Sequence, residues 1–171
     1  MGTDTGLVEG ARNAVRVCMG VQPSDRVLIL TDDDTAEVGE ALLREALATK
    51  ASAESLRLED FAARPCLELP PAIHDRILSF LPSVTYLAVS ARPGEVKMRG
   101  QFIDAALKDA GARHAHMHTI TPAIMREGMR VDYRKVNKLT TAVHDVLRQA
   151  KEVHVTSARG SDIVGRFSEN H

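Results

Sequence analysis

Arg26-Val27-Leu28-Ile29-Leu30-Thr31, followed at once by Asp32-Asp33-Asp34-Thr35, is the stretch on which the fold turns. Successive side chains of a strand point to opposite faces, so a run of four large apolar residues predicts a strand buried on both sides, as in a parallel sheet covered by helices. The acids behind it turn the chain. Asp34 or Thr35 is expected to cap a helix reaching to about Thr49, because Val38, Ala41, Leu42, Glu45 and Ala46 recur at helical spacing. A strand followed by a helix is the first half of a βαβ unit.

The same rhythm extends in both directions. Leu7, Ala11, Ala14, Val15 and Cys18 share one face of a helix that Gly20 ends. Downstream, Ser55–Leu58 reads as a weak strand, Pro71–Phe80 as a helix with proline in its first turn, Val84–Val89 as a strand, and Glu95–Ala110 as a helix stopped by Gly111. Arg113–Ile120 alternates, Thr121-Pro122 opens a short helix to about Glu127, and Val131–Ala150 reads as a longer helix with Val136, Leu139, Val143, Val146 and Leu147 facing inward. Glu152–Thr156 closes the series as a strand. Together these predict one α/β domain over residues 1–171, in three layers: a mostly parallel sheet in Rossmann-like or flavodoxin-like order with helices on both faces. No repeat, low-complexity tract or linker interrupts it. After Ala158 the chain begins a turn and a new strand that nothing protects, which leads us to expect a longer natural product.

Composition narrows the partners. Of 171 residues, 44% are hydrophobic and 26% charged, the profile of an ordinary globular chain, and the net charge of −1 without a basic cluster argues against nucleic acid. No apolar run approaches the roughly 20 residues of a membrane span, and the first residues have no signal-peptide pattern, so a cytoplasmic protein is expected. Cys18 and Cys66 lack metal or redox spacing and are expected as small buried hydrophobes.

Three constellations could carry chemistry. Asp32, Asp33 and Asp34 lie at the carboxyl end of the first strand, where open α/β sheets bind ligands and where carboxylates can hold Mg²⁺ for phosphoryl transfer. The Asp-x-Asp-x-Thr spacing of haloacid-dehalogenase-type phosphatases is missed by one residue, and capping explains the cluster more cheaply. His114, His116 and His118 alternate, so a strand would project three imidazoles from one face, as in some metal sites. No carboxylate or cysteine nearby in sequence completes a ligand set, and solvated or hydrogen-bonded histidines are the expectation. Arg92, Lys97 and Arg99 follow the third strand, where an anionic ligand could lie, although a solvated first helical turn accounts for them. Phosphate-binding glycine motifs and a G-x-S-x-G elbow are absent from the sequence.

Ala11-Arg-Asn-Ala-Val-Arg-Val-Cys18, Gly20-Val-Gln-Pro-Ser-Asp-Arg-Val-Leu-Ile-Leu-Thr-Asp32, Thr119–Met129, Val131-Asp132-Tyr133 and Lys151–Asp162 occur in an order that resembles the amino-terminal domain of the thermophilic aminopeptidase (aminopeptidase T) family. The resemblance implies a two-domain metallo-aminopeptidase that hydrolyses peptides, works as a homodimer, and holds a pair of divalent metals, zinc, cobalt or similar, in its carboxyl-terminal domain. It assigns no catalytic, cofactor or metal residue to this chain. A related branch of the same architecture, the ring-cleaving dihydroxypyridine dioxygenases, binds a single iron in its second domain. A free-standing ligand-binding module and a phosphotransfer domain using Asp32 and Asp34 stand as alternatives.

Overall fold

β1 (Arg26–Thr31) is buried at every position after Arg26, and β3 (Val84–Ala88) is buried throughout. Burial of this kind requires a neighbour on both edges and a helix layer on both faces. The computed structural model, which describes residues 4–167, supplies both. The chain divides into two compact units, one ending at Val131 and the other beginning at Asp132.

In the first unit four strands form one sheet in the order β2-β1-β3-β4, with β2 at Ser52–Arg57 and β4 at Arg113–His116. All three pairings are parallel, Leu30 lying opposite Leu56 on one side and Leu87 on the other. The fold is therefore α/β with a parallel sheet, in the flavodoxin-like of the two expected orders. The edge strands β2 and β4 are only half-buried, which is why Ser55–Leu58 reads weakly in the sequence.

Alternation along β1 divides the core. Val27 and Ile29 join Leu7, Ala11, Val15, Val38, Leu42 and Met125, drawn from α1 (Thr5–Arg12) and its π-helical extension (Asn13–Cys18), α2 (Ala36–Leu47) and α5 (Pro122–Glu127). Leu28 and Leu30 join Ile73, Ile77, Met98 and Phe102 from α3 (Pro71–Phe80) and α4 (Val96–Asp104) on the opposite face. A second π-helical turn, Ala105–Asp109, ends α4, and Gly111 at φ 64° provides the stop.

Several expectations are corrected. The cap after β1 is Asp32: its carboxylate accepts the Thr35 amide and caps the 3-10 turn Asp33–Thr35, whereas Thr35 makes no capping bond to α2. Cys66 is buried but Cys18 is exposed; both are free thiols. β5 (Glu152–Thr156) does not extend the parallel sheet. It pairs antiparallel with β6 (Asp162–Arg166) as a separate hairpin in the second unit. Apolar alternation identifies a strand without naming its partner.

The second unit also contains α6 (Tyr133–Leu147), no residue of which is buried. Four of the five residues expected to face inward do not: Val136 is 43% exposed, Leu139 67%, Val143 48% and Val146 72%, while Leu147 is half-buried. Helical spacing shows that an apolar face exists and is silent on what covers it. Residues 168–171 of the expected terminal strand region lie outside the described residues. Among those described, no helix is long and apolar enough to cross a membrane.

Helix α1 crosses α5 at Gly10, where an added Cβ would lie 2.2 Å from the Met125 carbonyl oxygen. Glycine inside a helix normally costs about 0.5–1 kcal/mol relative to alanine. Gly10→Ala should nonetheless destabilise the protein by about 1–3 kcal/mol in urea unfolding, because the helices must separate. A Cβ added at Gly100 in α4 would meet no atom within 4 Å beyond its chain neighbours and the helix's own backbone. Gly100→Ala should stabilise by about 0.5–1 kcal/mol, and equal signs for the two variants would contradict the packing described.

Candidate functional site

The chain leaves β1 toward β2 on one side and later crosses to β3 on the other, so the sheet's switch point lies at the carboxyl ends of β1 and β3. Asp32 follows β1 and Ser90 lies two residues beyond β3. Between them enters Arg64, from the irregular segment that joins the turn Leu58–Asp60 to α3, next to a cis peptide bond to Pro65.

The Arg64 side chain is 7% exposed, and those of Asp32 and Glu95 are fully buried. Arg64 Nη1 donates to Asp32 Oδ2 at 2.7 Å and to Glu59 Oε1 at 3.2 Å. Its Nε and Nη2 grip the two oxygens of Glu95 as a bidentate fork, and Nη2 also reaches the Ser90 carbonyl. The Glu95 carboxylate accepts the Cys66 amide at 2.7 Å as well. Asp32 Oδ2 accepts both the amide and the hydroxyl of Ser90 at 2.6 Å, and Oδ1 accepts the Thr35 amide at 3.0 Å. A planar guanidinium with several donors is suited to this convergence, which a lysine could not reproduce.

Charge shifts follow from these contacts. Burial alone would raise the Asp32 carboxyl, but hydrogen bonds from Arg64, Ser90 and Thr35 outweigh it and hold the group below its ordinary value. Burial would likewise make Arg64 a weaker base, and its bonds to Glu95 and Asp32 reverse that, leaving it more firmly protonated.

The three aspartates of the sequence cluster do not converge. Asp32 turns inward to Arg64, Asp33 pairs with Arg57 at 3.2 Å, and Asp34 pairs with Arg92 at 2.9 Å. Arg64, Glu59 and Glu95 escaped the sequence reading; the available signal was an arginine isolated in the apolar run Phe61-Ala-Ala-Arg-Pro-Cys-Leu67. His114 and His116 project from one face of β4 and His118 follows in the turn beyond it, with successive ring centroids 5.8 Å apart and Phe102 5.9 Å from His114. Thr85 Oγ1 is 2.8 Å from His114 Nδ1. Burial and the neighbouring His116 push His114 down to about 4, so it is neutral at pH 7. Elsewhere, a groove of about 370 Å³ lies between α3 and the end of α4, lined by Leu69, His74, Gln101 and Asp109 among others, with no strand-end residue in its wall.

Removing Arg64 strands two buried carboxylates, so Arg64→Ala should cost about 3–5 kcal/mol at pH 7. In the wild type the Asp32 contribution is fully present above its ordinary value near 3.8 and is lost as pH falls through the lower folded value. In the variant Asp32 loses the guanidinium, so its folded carboxyl takes up a proton at higher pH than in the wild type and the difference in stability shrinks as pH falls. Urea unfolding at pH 7 and pH 5 should therefore show a narrower gap between the two proteins at pH 5; a constant or wider gap would contradict the network.

No family model and no curated protein matches the sequence. Among solved structures the chain is similar to 2,5-dihydroxypyridine dioxygenase from Pseudomonas putida KT2440, with a TM-score of 0.54 at 16% sequence identity, over 94% of this chain and 47% of that one. The chain thus spans about half the length of that enzyme. These findings correct the aminopeptidase T resemblance and the hydrolase and metalloprotease activities it implied, because the similar structure is a dioxygenase and no family match supports a peptidase. At this identity the likeness is one of fold: the chain has an α/β fold, a parallel sheet with helices on both faces, shared with that dioxygenase.

Proposed function

We propose that the chain is a scaffold domain of a ring-cleaving dioxygenase of the dihydroxypyridine kind and is non-catalytic by itself. The observation that carries this reading is the fold likeness over 94% of this chain. Two features support the non-catalytic part. The switch-point crevice, where sheets of this type bind ligands, is filled by the protein's own Arg64. Non-haem iron oxygenases commonly hold their metal with two histidines and a carboxylate. Among the described residues no group of three or more His, Cys, Asp or Glu is arranged to hold an ion. On this reading the metal and the ring contacts belong to residues outside this chain, and the domain contributes a wall of the cleft or a subunit contact.

Oxygen uptake with 2,5-dihydroxypyridine and added ferrous iron tests both parts, using the product of the complete reading frame beside the 171-residue chain. The complete product should consume oxygen as the ring absorbance disappears, and the 171-residue chain should not. Uptake by the short chain would sink the scaffold reading. An iron-loaded complete product without uptake, or a reading frame ending at His171, would sink the dioxygenase reading.

A further inference from the structure

Of the three basic residues that follow β3, two are spent. Arg92 pairs with Asp34 and Lys97 with Glu68. Arg99 is half-buried, and among the described residues its side chain makes no ion pair or hydrogen bond. A half-buried, unpaired guanidinium is unusual, because desolvating it without a partner is costly.

Its surroundings follow from the fold. Phe102 of α4 meets His114 of β4. A helix that links two parallel strands runs opposite to them, so moving three residues back along α4, about 4.5 Å, corresponds to moving forward along β4. Two strand residues span about 6.6 Å. Arg99, one helical turn before Phe102, therefore lies toward His116 at the end of β4 and His118 in the turn just beyond it. The electrostatics agree: burial is the first cause lowering both His116 and His118, and the Arg99 charge lowers both further. Nδ1 of His118 is buried without a hydrogen-bond partner. Glu95, one turn before Arg99, has both oxygens committed to Arg64.

We propose that Arg99, His116 and His118 form a binding site for a small oxyanion, a carboxylate or a phosphate group, on the α4 side of the edge strand β4. The guanidinium supplies the fixed charge and a forked pair of donors, and the two imidazoles supply N–H donors on one side of the anion. A cation is not what this cluster invites, because Arg99 repels it. The site unites the histidine alternation and the basic group of the sequence, and it does not rest on the dioxygenase reading.

Titration of the folded chain with sodium phosphate and with sodium acetate at constant ionic strength, followed by the imidazole proton resonances, tests the site. Saturable shifts of His116 and His118, absent with chloride, are expected, and their protonation should move to higher pH with the anion bound. Arg99→Gln should weaken the binding at least about tenfold, Arg99→Lys should retain part of it, and Arg92→Gln should leave it unchanged. Tighter binding of phosphate than acetate assigns the phosphate group, and the reverse assigns the carboxylate. Shifts that fail to saturate, that chloride reproduces or that survive Arg99→Gln would overturn the proposal, as would saturable Zn²⁺ binding in place of the anions. If Arg99→Gln misfolds by circular dichroism, His118→Asn takes its place with the same expected loss.

Discussion

One guanidinium neutralises two fully buried carboxylates at the centre of the sheet's carboxyl end, and the loops around it take their positions from that contact. Asp32 belongs to the connection after β1, Ser90 and Glu95 to the connection after β3, and Arg64 to the segment before α3. Three connections with little apolar surface of their own are thus tied at one point. Charges taken out of water cost several kcal/mol each unless every donor and acceptor is met. Here Asp32 receives bonds on both oxygens, and Arg64 uses all three of its nitrogens. Such a network contributes less to net stability than to fixing one arrangement among several, since partial satisfaction would be worse than none.

That closure also shapes the functional reading. Doubly wound sheets present a crevice at this place, and most of their ligand chemistry occurs there. Here an internal side chain occupies the crevice, and Arg99, unpaired among the described residues, lies to the side, toward the α4 face of the edge strand. The division of labour fits a domain whose central strands serve architecture and whose margin is free to meet a small charged ligand.

How much of this was legible in the residues depends on how local the cause was. β1 and β3 could be read because burial on both faces leaves a continuous apolar run, and the helices because their apolar positions recur at three and four. The partner of β5 could not: Val153 and Val155 alternate equally well beside a parallel neighbour or in a hairpin with β6. Arg64 was invisible because its partners Asp32 and Glu95 lie far away in sequence on either side, and the segment that holds it has no period. The basic group was seen, but only the fold shows that Asp34 and Glu68 take Arg92 and Lys97 and leave Arg99. The strand was expected to carry three histidines and carries two, His118 following in a turn that keeps its ring beside His116; their neighbour on α4 was beyond reach.

The pairing of β1 with β3 joins Val27 to Val84, with β2 and two helices lying between them in the chain. During synthesis β1 and β2 therefore leave the ribosome well before the strand that completes the sheet's centre. Until β3 arrives, Val27, Leu28, Ile29 and Leu30 have one edge unpaired, and α4, part of one covering layer, has not yet been made. Closing so long a loop is slow relative to local helix formation, and parallel pairing gives no hairpin to hasten it. The strand that makes the fold recognisable is thus also the segment most exposed to aggregation while the chain is being made.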